Sequence, residues 1–228
     1  KLKEYNIRIR NRSESHIRYR KRNFSGNGIE KAYLIGFRLG DLRVRKLWKN
    51  SEVISVGSGS TKIQQIKLIK SLFEPYGHVW ASKPNKNKKV NIEAYVNQSF
   101  SFLLEKEAPA WIFEHKQSFF SFLAGFSDAE GCFSIYKNKA FYSLGNYDYK
   151  LLFLIRDALR EFNTNVNGPY ESDTRYYFNN EGYGHNYNYW HLAIVKKLDL
   201  DRFITLIEPY LNHKDKIRLE FNIINKAS

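Results

Sequence analysis

The chain has 228 residues, enough for one large domain or two small ones, and its 43% hydrophobic and 16% aromatic content is that of a folded protein. A formal net charge of +14 makes a polyanion its natural partner, nucleic acid foremost. No uncharged apolar run approaches the ~18 residues of a membrane span, no long basic amphipathic helix is present, and the histidines lack zinc-ligand spacing. Cys132, the only cysteine, has no intrachain partner for a disulfide, so a reducing intracellular compartment is expected, prokaryotic cytoplasm or organelle matrix.

In chain order, residues 1–27 read as a basic arm. The first 22 residues hold nine Lys and Arg against Glu4 and Glu14, a net +7, which suits a solvated tail, a targeting leader or an arm on phosphate. From residue 28 a unit begins that the chain builds twice. "YLIGFRLGDL" (33–42) and "FLAGFSDAEG" (122–131) are apolar, small-residue-spaced runs that each carry an acid in the same place, Asp41 and Glu130. Two strand-like stretches follow each run, 43–50 and 52–60 in the first copy, 132–139 and 140–148 in the second. Apolar residues at helical spacing come next: Ile63, Ile66, Ile69, Leu72 and Phe73, then Leu151, Leu154, Ile155, Ala158, Leu159 and Phe162. Two more strands (78–82 and 90–97; 170–178 and 187–195) and a closing helix (100–107; 199–211) complete each copy, and 213–225 adds a further helix. The predicted class is α+β, two αββαββα repeats at 28–107 and 119–228 joined by 108–118, each an antiparallel sheet covered by helices on one face.

Read as helices, the two runs place Gly36 and Gly40, and Gly125 and Ala129, four apart on one stripe. Small residues at that spacing let two helix backbones touch, so the helices are expected to pack together and join the halves. Both acids then arrive at the same C-terminal end, where helix dipoles disfavour negative charge. A divalent cation resolves that conflict. Oxygen donors with open positions suit Mg²⁺, or another divalent ion such as Mn²⁺, and such an ion before a basic surface implies phosphodiester chemistry. The alternative is two buried packing helices with capping acids.

These runs resemble the LAGLIDADG motif, and from about residue 28 onward the chain is similar to single-chain, two-motif LAGLIDADG homing endonucleases. "LAGFSDAEG" departs mainly by Glu at the eighth position; "LIGFRLGDL" keeps the glycine and the eighth-position acid but has Leu39 and Leu42 where an acid and a glycine are usual. The resemblance implies a monomer that clamps duplex DNA under a saddle of two four-stranded sheets and cuts both strands of a long site with Mg²⁺. It implies Asp41 and Glu130 as metal ligands and Asp128 as structural. It further suggests Lys196 as the basic residue after the fourth strand, with Asn97 in its place in the first copy. Ser58 and Asn146 would order water at the end of the second strand, followed at equal distance by Lys62 and Lys150.

By period two, Arg43, Arg45 and Lys49 share one face of the first strand, suited to a β-ribbon in the major groove. Tyr136, Asn138, Arg175, Tyr177, Asn179, Asn186 and Asn188 are the candidates in the second copy, although 174–190 also reads as a packed hairpin with a polar tip. Lys83, Lys86, Lys88 and Lys89 suit phosphate contacts. Two other functions fit the same scaffold: an intron maturase, with intron RNA as a further partner, and a catalytically inactive DNA-binding protein. The retained acids favour the nuclease, intron-encoded or free-standing.

Overall fold

A computed structural model of the chain describes residues 19–137, 139–172, 188–213 and 216. Helix α1 spans Gly28–Asp41 and opens on a capping box. Asn27 Oδ1 accepts from Ile29 N at 2.9 Å and Glu30 N at 3.0 Å, while Asn27 N donates to Glu30 Oε2 at 2.9 Å. The segment before it is tied to the first repeat: Arg22 N donates to Tyr76 O at 2.8 Å, and the Phe24 ring meets Phe100 and Phe102, each at 5.3 Å.

Strands β1 (Arg43–Lys46) and β2 (Ile54–Ser60), helix α2 (Ile63–Phe73) and strands β3 (His78–Ala81) and β4 (Val90–Val96) follow. They form a four-stranded antiparallel sheet in the order β1-β2-β4-β3. Period two is visible in its burial: Ile54 and Val56 of β2 and Ile92, Ala94 and Val96 of β4 face the helices. The expected closing helix at 100–107 is instead a 3₁₀ segment, Gln98–Leu104. It buries Phe100 and Leu103, three apart, one turn of a 3₁₀ helix.

The short helix α3 (Trp111–Glu114) ends at extended His115, and α4 runs from Lys116 to Glu130. The second repeat continues with β5 (Gly131–Tyr136), β6 (Lys139–Asn146), α5 (Tyr149–Glu161), β7 (Asn167–Ser172), β8 (Tyr189–Ile194) and α6 (Lys197–Ile207). Its sheet has the order β5-β6-β8-β7, the same as the first. Pro209 lies in a final 3₁₀ turn, Glu208–Tyr210. Most of the expected 213–225 helix lies outside the described residues. Among the described residues no helix is long and apolar enough to cross a membrane.

Helix α4 is the centre of the molecule, buried without a break from Ser118 to Asp128. It meets α1 backbone to backbone. A Cβ built on Gly36 would stand 1.9 Å from Phe122 O, and one on Gly125 2.0 Å from Tyr33 O. The two contacts are related by the internal two-fold, each glycine meeting the carbonyl three residues before its counterpart. Further along, a Cβ on Gly40 would stand 2.3 Å from the Ala129 Cβ. Side-chain bulk at these points forces the helices apart, since a packed core does not absorb even a methyl group there. We expect Gly125→Ala and Gly36→Ala each to cost about 1–3 kcal/mol, read as a lowered denaturant midpoint, whereas Gly28→Ala, which meets nothing within 4 Å, leaves the midpoint unchanged within error.

Candidate metal and nucleic-acid site at the helix seam

The seam of α1 and α4 ends at Asp41 and Glu130, the last residue of each helix. Glu130 Cγ lies 3.1 Å from where a Cβ on Gly40 would stand, so the Glu130 side chain runs past the residue adjoining Asp41. Burial, together with the nearby Asp41 carboxylate, pushes the Glu130 carboxyl up to about 7. The Asp41 carboxylate is held from its own half: Gln65 Nε2, near the start of α2, donates to Asp41 Oδ2 at 2.8 Å. Among the described residues no group of three or more Asp, Glu, His or Cys forms a ready-made cage. Two carboxylates suffice for Mg²⁺ when phosphate oxygens and water complete the shell, so the donor set fits that ion.

Asp128, two residues before Glu130, has turned away from this mouth. Its Oδ2 accepts from Tyr33 OH at 2.7 Å, Asn212 N at 2.8 Å and His213 N at 3.1 Å. It is 1% exposed and ties α1 to the segment after α6, a structural role as read from its position in the motif. Leu39, its counterpart in α1, packs on the core, and Leu42 ends the helix in an extended conformation.

Two residues at the mouth had no sequence signal. Lys216, beyond α6, donates through Nζ to Ser127 O; burial, with Lys62 close by, pushes its ammonium down to about 8, while Asp128, Cys132 and Glu130 act against that shift. Tyr189 crosses Gly145, whose Cβ would stand 2.2 Å from the phenol oxygen, and burial with Glu130 and then Tyr147 nearby pushes that phenol up to about 12. Lys89 does the same in the first sheet, its Cε 2.6 Å from a Cβ on Gly59.

Strand register revises several expectations. Arg43, two residues after its acid, pairs with Gly57, and Cys132, two after its own, pairs with Ser143. Counting from those pairs, Asn146 corresponds to Ser60 and not to Ser58. Both make the same turn: Ser60 Oγ accepts from Lys62 N at 3.0 Å and Asn146 Oδ1 from Asp148 N at 2.9 Å. Ser58 pairs with buried Ile92, corresponds to Leu144, and has its Oγ buried against the helix layer. Lys62 accordingly matches Asp148; Lys150 lies two residues further, exposed in the first turn of α5.

Asn97 and Lys196 fall at the wrong end of their sheets. Val96 pairs with Ile54 beside the β1–β2 turn, and Ile194 with Tyr142, so both chains leave the sheet away from the acids. Asn97 is fully engaged as a cap, accepting from Ser99 N at 3.0 Å and donating to Asn23 Oδ1 at 2.7 Å. Lys196 precedes α6 and is exposed. Among the described residues, the cation whose charge acts on Glu130 is Lys216.

Arg43 and Arg45 are exposed on the helix-free face of β1, opposite Val44, which packs on the core. Lys49 is not on that strand but in the β1–β2 turn, so the alternation does not extend to it. Lys86 and Lys88 are exposed in a turn organised by Asn85, whose Oδ1 accepts from Asn87 N and Lys89 N at 3.0 and 2.9 Å. Tyr136 is 65% exposed at the end of β5. Asn188 donates to Glu171 beside β8. Asn138, Arg175, Tyr177, Asn179 and Asn186 lie outside the described residues.

Comparison with known proteins agrees with this architecture. Residues 120–208 match the family model of the LAGLIDADG-like domain. No curated protein matches the chain in sequence. Among solved structures, the homing endonuclease I-WcaI bound to its DNA recognition sequence is 19% identical, with a TM-score of 0.55 over 84% of this chain and 86% of that one. I-DmoI in complex with DNA and Mn is 20% identical, with a TM-score of 0.54 over 79% and 96%. Full-length DUF199/WhiA from Thermatoga maritima is 18% identical, with a TM-score of 0.56 over 91% of this chain but 63% of that one. The chain therefore shares the two-repeat fold of these LAGLIDADG structures, and residues 120–208 match a LAGLIDADG-like domain in sequence as well.

Proposed function

We propose that the protein is a site-specific endonuclease that hydrolyses both strands of a long duplex DNA target, acting as a monomer with Mg²⁺ or a similar divalent ion held by Asp41 and Glu130. The observation that carries the reading is the convergence of these two carboxylates at the mouth of the helix seam. A pure binder of a polyanion gains nothing from placing acids there. The same fold in DUF199/WhiA, whose name states no endonuclease, means that the acids and not the architecture argue for cleavage.

A bound divalent ion would polarise the phosphate and lower the pKa of the attacking water. This chain's own groups do the rest. Gln65 fixes the Asp41 carboxylate in one orientation. Lys216 and Lys62 bring positive charge to the Glu130 side, where a scissile phosphate adds negative charge. Ser60 and Asn146, at matching strand ends, offer polar atoms to solvent near the mouth, while Arg43, Arg45, Lys86 and Lys88 hold the duplex. Gln65 corresponds by helix position to Leu151, so the two acids are held differently and unequal nicking rates for the two strands follow.

Incubation with duplex spanning the insertion point of the protein's own gene should yield double-strand cleavage in Mg²⁺ and none in EDTA. Asp41→Asn and Glu130→Gln should each lower the rate about a hundred-fold or more, as loss of several kcal/mol of charge stabilisation requires, with duplex binding retained. Unchanged rates would overturn the assignment.

Stability provides a separate check. Without metal, Glu130 in the folded chain holds its proton up to about 7, whereas the unfolded chain releases it near 4.5. The folded state thus binds more protons across that window, and stability should fall as pH rises through it and level off above. Glu130→Gln should flatten the slope. Mg²⁺ added above pH 7 should raise the Tm of the parent protein and not that of the variant.

A further inference from the structure

The helix-free faces of the two sheets carry different chemistry at positions related by the internal two-fold. On the first, Glu93 of β4 sits at the centre of a polar group drawn from three strands. It accepts from Ser55 Oγ and from Tyr95 OH at 3.2 Å, and Arg45 Nη2 lies 3.5 Å from its Oε1. Gly57, its partner across β2, leaves the floor open, with Arg43 Nη2 3.5 Å from where a Cβ would stand. The register assigns the counterparts: Ser134 for Arg45, Phe141 for Ser55, Ser143 for Gly57 and Ala193 for Glu93. None of these four carries a charge.

An acid on a face that receives DNA repels phosphate, so its use there needs a reason. Glu93 is only 17% exposed, whereas Arg45 is 57% exposed, so the acid meets one nitrogen of a guanidinium that is otherwise largely open to solvent. A guanidinium paired on one side with a carboxylate and open on the other is suited to the paired acceptors of guanine, and the flanking carboxylate to the amino group of its cytosine. Phe141 and Ala193 offer apolar contact, which favours the thymine methyl.

Resting on the endonuclease reading only for its duplex target, we propose that Arg45 and Glu93 together specify a G·C pair in the half-site under the first sheet, and that the symmetry-related position under the second sheet is read as A·T through Phe141 and Ala193. The target is then asymmetric in chemistry and not a degenerate palindrome. The charge of Arg45 contributes affinity; its fork, held by Glu93, contributes the sequence.

Selection of bound duplexes from a random-sequence library by the full chain, in Ca²⁺, tests this directly. The expected consensus has one guanine in one half-site, with A·T at the mirror position of the other. Arg45→Lys keeps the charge and loses the fork; it should weaken that guanine preference about five-fold or more while binding other sequences nearly as well as the parent. Glu93→Gln should weaken the same preference and raise non-specific binding. Neither variant should alter the opposite half. A guanine preference unchanged in Arg45→Lys, or G·C at both mirror positions, overturns the proposal. Offering the selected duplex with Mg²⁺ is the independent arm: a consensus bound as described but not cut upholds this inference and sinks the nuclease reading.

Discussion

Everything in this molecule depends on two glycines being small. Gly36 and Gly125 each lie against a carbonyl of the opposite helix, at a separation no side chain fits. That contact makes one body of two repeats whose sheets otherwise have separate hydrogen-bond networks. It also fixes the direction and advance of the helices, so that Gly40 meets Ala129 and the chain delivers Asp41 and Glu130 to a common mouth. The core and the site are therefore not separate designs. The van der Waals contact that stabilises the fold is the one that forces two carboxylates together.

That juxtaposition costs stability, because partial burial and the neighbouring Asp41 charge disfavour ionisation of Glu130 at its helix C-terminus. The protonated tendency of Glu130 is the visible form of the cost. The surroundings are arranged around the conflict without removing it: Gln65 supplies a neutral donor to one acid, and Lys216 a cation near the other. A divalent ion and a phosphate complete a balance that the protein alone leaves open. Local rules broken at one place in an otherwise consistent structure are what a functional site looks like.

How much of this the sequence disclosed depended on range. The repeat, the element order and both acids were legible because glycine spacing and alternation are local, periodic signals. The 3₁₀ segment at Gln98–Leu104 was missed because Phe100 and Leu103 satisfy either helix type over so few residues. Ser58 falls two residues short because the Gly-polar pair at 57–58 reads like the one at 145–146, whereas the register makes Gly59 the counterpart of Gly145. The resemblance points to Lys196 because it follows the fourth strand, but adjacency in sequence to a strand end says nothing of which end of the sheet that is. Gln65 and Lys216 reach the acids only through tertiary packing, and nothing in their local sequence marks them.

The account stands or falls on the two carboxylates sharing one mouth, and titration of the Glu130 side-chain carboxyl by ¹³C NMR measures that most directly. The expected result is a midpoint near 7 that moves part of the way back toward 4.5 in Asp41→Asn, with the Glu130 signal broadened by sub-stoichiometric Mn²⁺ in the parent protein. A midpoint near 4.5 in both proteins, with no broadening by Mn²⁺, would contradict it.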